Sequence, residues 1–153
     1  MIDLPYTHSC FVCGDSNRSG LRLKFQADGN VVRATFTPGP EHIGFRQTIH
    51  GGIISSLLDE IMVWACAVQT RRFAFCAELT VRFLKPLQPG QLVEASAELV
   101  QNRRDRIYLA KGELQFPGGE AVATAEGKYM PVPAEQMRGM AADLIGPLGF
   151  ELL

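Results

Sequence analysis

The stretch from Gly51 to about Gln69 constrains this 153-residue chain most. Ile53, Ile54, Leu57, Leu58, Ile61, Met62, Trp64 and Ala65 recur at helical spacing and cover nearly every side. A helix apolar almost all round must be buried almost all round. Asp59 and Glu60 interrupt the apolar run, which from Ile53 to Val68 falls short of the ~20 residues a membrane span needs. The segment is therefore expected to form the core helix of a globular domain.

The flanks supply what surrounds it. Leu21 to Phe25 reads as a strand, with Asp28-Gly29-Asn30 as the turn into a partner strand from Val31 to Thr37. Pro38, Gly39 and Pro40 then break the sheet, and a loop from Glu41 to Ile49 carries His42, Gly44 and Phe45 toward His50. After Thr70 the period becomes two, with Leu79, Val81 and Phe83 opposite Thr80 and Arg82, as far as Pro86. Leu87-Gln88-Pro89-Gly90 turns the chain, and Val93, Ala95, Ala97 and Leu99 alternate with Glu94, Ser96 and Glu98. Arg106 to Phe116 and Glu120 to Met130 form a last pair around Pro117-Gly118-Gly119, the second with a weaker pattern rich in alanine. Ala134 to Ile145 is a candidate short helix. Two strands, one buried helix and four strands on short turns predict an α+β domain: an antiparallel sheet of about six strands wrapped around one long central helix. A parallel sheet would need crossover helices that the last four strands lack. Residues 1–153 read as a single domain, with 1–20 as an N-terminal leader and 133–153 as a tail.

Fifteen Lys plus Arg against sixteen Asp plus Glu leave a net charge of -1, without the basic excess of a nucleic-acid binder. The start, MIDLPYTHSC, has no basic region followed by an apolar run, so no secretory signal is read and a cytoplasmic location is expected. No membrane partner is implied. Four cysteines are few for a disulfide scaffold in a chain of this size, and reduced thiols are the default. Cys10 and Cys13 form a CxxC with His8 two residues upstream, a partial metal-ligand pattern lacking a second half. Structural zinc, a redox pair and an ordinary loop all remain open, the loop being the simplest; Cys66 reads as a small core residue.

Ile49-His50-Gly51-Gly52 opens the buried helix, and Asp59 sits in its apolar middle. Glycines at a helix start leave backbone N–H donors accessible, and the helix dipole suits them to an anion or developing oxyanion. Glycines also simply end loops, and a lone His is more often structural than catalytic. A buried carboxylate costs several kcal/mol unless it is paired, hydrogen-bonded or used; the alternative is a helix leaving the core with Asp59 and Glu60 on its wet side. Asp59 lies eight residues past Gly51, about 12 Å along the axis at ~1.5 Å per residue. One helix cannot bring both to one carbonyl, so a shared site needs a second copy, and two-fold pairing provides two equivalent sites.

His50-Gly51-Gly52 followed by Asp59, in this order of strands and helix, resembles the hotdog-fold acyl-CoA thioesterases of the phenylacetate-pathway (PaaI-like) group, over roughly Leu21 to Met130. The leader, Cys10-Phe11-Val12-Cys13-Gly14 with Gly20-Leu21, is similar to that of one subgroup. The resemblance implies that Gly51 supplies an oxyanion N–H, that His50 positions the thioester and its loop, and that Asp59 of the partner subunit acts as nucleophile or as general base on water. Relatives often carry a Ser or Thr where this chain has Cys76, a weaker hydrogen-bond partner, and some have an Asn where this chain has Gly44.

Substrate-binding candidates are Gly52, with Phe45, Leu58, Met62, Cys76 and Phe83 around an acyl group, each equally readable as packing. Arg82 and Arg104, with Lys85, Arg103 and Arg106, are candidates for coenzyme A phosphates, although the Arg103 to Arg106 turn reads equally well as a solvated loop. The expected partners are an acyl-CoA substrate of small or medium acyl chain and further copies of this chain, as dimer or tetramer. No metal or other cofactor is expected, since no Walker loop, GxGxxG or HExxH is present. The same scaffold also hosts non-catalytic acyl-CoA or ligand-binding modules and dehydratases, of which the binding module is the main rival reading.

Overall fold

The computed structural model describes all 153 residues. Its centre is one helix, α1 (Gly51–Thr70). Seven strands form a single antiparallel sheet: β1 (Ile2–Asp3), β2 (Gln26–Asp28), β3 (Val31–Phe36), β4 (Ala74–Phe83), β5 (Val93–Arg103), β6 (Ile107–Gln115) and β7 (Ala121–Pro131), in the order β1-β2-β3-β5-β6-β7-β4. A short helix, α2 (Ala134–Ala142), follows β7 and ends three residues before the expected Ile145.

α1 packs on β3, β4, β5, β6 and β7. It is 20 residues long, enough by length and composition to cross a membrane. Its Leu57, Leu58, Ile61, Met62, Ala65 and Cys66 are instead fully buried against the sheet. The alanines of the weakly patterned strands have a packing reason. Ala34, Ala95, Ala97, Ala110 and Ala125 are buried, and a Cβ on Gly112 would meet Met62 Cγ at 3.3 Å and Leu58 Cδ2 at 3.4 Å. Small side chains on the strands let a helix of large ones lie close to them.

Leu21 to Phe25 departs from the expected strand. Leu21, Leu23 and Phe25 are buried in alternation, but their backbone partners lie mostly in the leader. Leu21 N–H donates to the Phe11 carbonyl at 2.8 Å and Leu23 N–H to the Val12 carbonyl at 2.9 Å. The ladder begins only at Gln26, and its turn is two residues, with Gly29 at φ +60. The leader thus belongs to the domain, burying Leu4, Val12 and Cys13. The tail is tied to it by a Tyr6–Ile145 bridge.

The strand after α1 does not pair with the next in sequence. β4 crosses to β7 and forms one edge of the sheet. Phe75 and Phe83 on this edge and Met130 on β7 are each more than half exposed.

Candidate active site

His50 is the N-cap of α1, with φ -60 and ψ 132, and its Nδ1 accepts the Gly52 N–H at 2.8 Å. That bond leaves the proton of a neutral ring on Nε2. The ring sits against Gly44, where a Cβ would lie 3.1 Å from His50 Cδ2. The cap occupies one donor of the first turn and leaves another: the Gly51 N–H has no acceptor within the chain. Phe83 lies over this residue, its Cζ 3.1 Å from where a Gly51 Cβ would be. Neither neighbouring hydroxyl is poised to attack, because Ser55 donates to the Gly51 carbonyl and Ser56 to the Gly52 carbonyl, both at 2.8 Å.

Asp59 is half-buried at the middle of α1, without an ion-pair partner. The Tyr129 phenol donates to its Oδ1 at 2.9 Å and lies 3.3 Å from its carbonyl. Tyr129 reaches there because residue 127 is glycine: a Cβ at that position would sit 2.5 Å from the Tyr129 ring. Burial, then the Asp59 charge, holds the phenol protonated far above its usual range, so it remains a donor. Cys76, paired with Tyr129 across β4 and β7, is the third member. Partial desolvation on this exposed edge and then the Asp59 carboxylate push its thiol up to about 11. Asp59 thus accepts from Tyr129 at Oδ1 beside the protonated Cys76 thiol, and Tyr129 is a neighbour that residue patterns alone did not indicate.

The remaining candidates divide. Phe45 stands 80% exposed at the tip of the loop before α1, next to Arg46 and Gln47 at positive φ. Gly52 has its N–H engaged by His50. Leu58 and Met62 are fully buried under Gly112, in the core of the single chain and away from any accessible wall. Arg82 faces an open cavity of about 540 Å³ shared with Arg33, Thr80 and Lys111, on the opposite side of the sheet from Phe83 and Gly51. Arg104 lies in the β5–β6 turn, at φ +55, with Asp105 at φ +54 bonded to Asn102. That turn is beside the C-terminal end of α1, where Arg72 neighbours Asp105 and Arg106. The helix places it about 30 Å from Gly51 at ~1.5 Å per residue. Glu60 is half-buried, and the loss of solvent around it, then the neighbouring Cys10, pushes its carboxyl up to about 7. The sulfurs of Cys10 and Cys13 and a Glu60 oxygen lie within 4.8 Å of one another, a grouping able to hold a metal ion.

Residues 46–110 match the thioesterase superfamily. No curated protein matches the chain. Among solved structures, a thioesterase superfamily protein superposes with a TM-score of 0.75 at 21% identity, covering 80% of this chain. This chain spans only 63% of that protein's length. The E. coli PaaI protein of the phenylacetic acid degradation operon superposes with a TM-score of 0.67 at 24% identity, over 74% of this chain and 81% of its own. A Streptococcus mutans protein solved with acetyl-CoA bound gives a TM-score of 0.66 at 17% identity, over 72% of this chain and 88% of the other. At these identities the structures speak for the fold alone. The superfamily match spans α1, β4, β5 and the start of β6, and the superposed structures share this sheet wrapped around one long helix, so the chain has the hotdog fold.

Proposed function

We propose that this protein hydrolyses an acyl-CoA thioester in two equivalent sites, each built from two copies of the chain. The observation that carries the reading is the pair of unspent groups on one helix. The Gly51 N–H has no acceptor at the helix start, and Asp59 has no cation in its middle. At about 12 Å apart along the axis they cannot serve one carbonyl within one chain. A second copy docked along the exposed apolar edge at β4 would bring its Asp59 toward the first copy's Gly51, and the reverse. The Streptococcus mutans relative's bound acetyl-CoA supports the ligand class.

In this reading the thioester carbonyl accepts the Gly51 N–H, and the positive end of the α1 dipole stabilises the oxyanion as it forms. His50 holds the first turn in shape. In one course Asp59 of the partner takes the proton of a water that adds to the carbonyl carbon. The tetrahedral intermediate then expels the coenzyme A sulfur, which takes up a proton. In the other, an Asp59 oxygen itself adds, coenzyme A leaves, and water cleaves the resulting anhydride. Tyr129 and Cys76 orient the carboxylate in both. Label found in the Asp59 side chain after a single turnover in ¹⁸O-water identifies the anhydride course, because water that adds to the acyl carbon leaves none there.

The test is thiol release from short, medium, long and aromatic acyl-CoAs by the wild type and by Asp59→Asn. Release that disappears in the variant supports hydrolysis. Binding of acyl-CoA without turnover by the wild type refutes it in favour of a non-catalytic binding module.

A further inference from the structure

We propose that Cys10, Cys13 and Glu60 form a site for a zinc-class divalent cation that clamps the N-terminal leader onto the middle of the central helix. Cys10 Sγ lies 3.7 Å from Glu60 Oε1, and the Cys13 sulfur is within 4.8 Å of both. A tetrahedral ion with sulfur at ~2.3 Å and oxygen at ~2.0 Å would hold those donors about 3.5 Å apart. Small side-chain rotations suffice to close the set.

The loop that presents the sulfurs has the form of a ligand knuckle. Backbone N–H groups of Val12 and Cys13 point at Cys10 Sγ from 3.3 and 3.5 Å, as suits a thiolate. Gly14 N–H closes the turn on the Cys10 carbonyl at 2.9 Å, and a Cβ on Gly14 would collide with that same oxygen. Cys13 is 2% exposed.

Charge supplies an independent reason. Glu60 is a half-buried carboxylate with no Lys, Arg or His bridging it. Lys24, which reaches this loop, is engaged by the Cys13 carbonyl at 3.3 Å and by the Tyr6 ring at 3.1 Å. Three acidic groups converge across fifty residues of sequence, with the Cys10 thiol donating to Glu60 where a cation could stand; a divalent ion would displace that proton and bind the donors it leaves. Two thiolates and one carboxylate suit zinc better than magnesium or calcium. Three protein ligands leave the fourth position to water.

The full-length, tag-free chain, purified under reductant without chelator, is expected to carry about one equivalent of zinc by elemental analysis. X-ray absorption should give two sulfur neighbours at ~2.3 Å with the remainder oxygen or nitrogen. Removing the metal and adding Co²⁺ should produce thiolate-to-cobalt charge-transfer bands. Added Zn²⁺ should raise the melting temperature of the apo chain. Cys10→Ser, Cys13→Ser and Glu60→Gln should each lose most of the metal, and Cys76→Ser should retain it. A wild type that takes up neither Zn²⁺ nor Co²⁺, or whose Cys10 and Cys13 are isolated as a disulfide despite the reductant, overturns the proposal. So does a metal shell without sulfur, a readout that does not depend on any variant folding.

Discussion

Replacing Gly51 by proline removes one atom of interest, the amide hydrogen, and the local geometry accepts the change. Gly51 is the first residue of α1, where proline is favoured because its missing N–H would be unpaired in the helix anyway. The residue before a proline must be extended, and His50 at φ -60 and ψ 132 already is. The steric cost is the new Cβ against the Phe83 ring at 3.1 Å. That ring is 55% exposed and free to give. Gly51→Ala carries the same Cβ and keeps the N–H, so the ratio of the two variants isolates the hydrogen bond. Loss of one oxyanion donor costs about 10²- to 10³-fold in kcat, roughly 3 to 4 kcal/mol. Gly51→Pro should therefore fall by that factor below Gly51→Ala in steady-state thiol release, with melting temperatures within a few degrees. If the two variants turn over at rates within threefold of each other while both stay folded, the Gly51 N–H is not the oxyanion donor.

Mixing Gly51→Pro with Asp59→Asn tests the shared site. If each site takes Gly51 from one copy and Asp59 from the other, random re-pairing leaves one intact site in half of the dimers and restores about a quarter of wild-type activity; no restoration refutes it. Tyr129→Phe deletes the donor to Asp59 and should lower kcat about tenfold, near 1.4 kcal/mol, with KM little changed. A fall in melting temperature with kcat intact would make Tyr129 structural only. Leu58→Ala should cost about 2–5 kcal/mol, a drop of roughly 5–15 °C in melting temperature, with KM unchanged; a shifted acyl-chain preference at full stability would return Leu58 to the substrate wall. Because the Cys76 thiol stands at about 11 against an ordinary 9.0, its thiolate is scarcer at pH 8 and only partly offset by higher nucleophilicity. Alkylation followed by peptide mass spectrometry should be about tenfold slower than for a free thiol. Asp59→Asn removes the charge that raises it and should speed the reaction.

Local structure in this chain is legible from period and punctuation. The apolar run of α1, the alternation along β5 and β6, and the turns at Asp28-Gly29-Asn30 and Pro117-Gly118-Gly119 each state their structure within a dozen residues. Asp59 stands out because a carboxylate in an apolar helix costs free energy unless it is paired, hydrogen-bonded or used. Leu21 to Phe25 shows the limit of that logic: its alternation correctly names the buried side chains, but alternation says nothing about which backbone supplies the hydrogen bonds, and here the leader does.

The rest was decided by contacts between distant segments. β4 becomes an edge because β7 pairs with it, and the register of that pairing sets Tyr129 opposite Cys76 and under Asp59, in space that Gly127 leaves. Leu58 and Met62 look the same in sequence whether they line a pocket or fill a core; Gly112, fifty residues on, decides for the core. Arg104 is distant from Gly51 because α1 is a rigid rod between them. Cys10 and Glu60 meet only when the leader folds across the helix. Periodicity is a property of neighbouring residues, which one chain segment carries alone. Register, edge position and convergent side chains are properties of packing, and they exist only once the segments share a core.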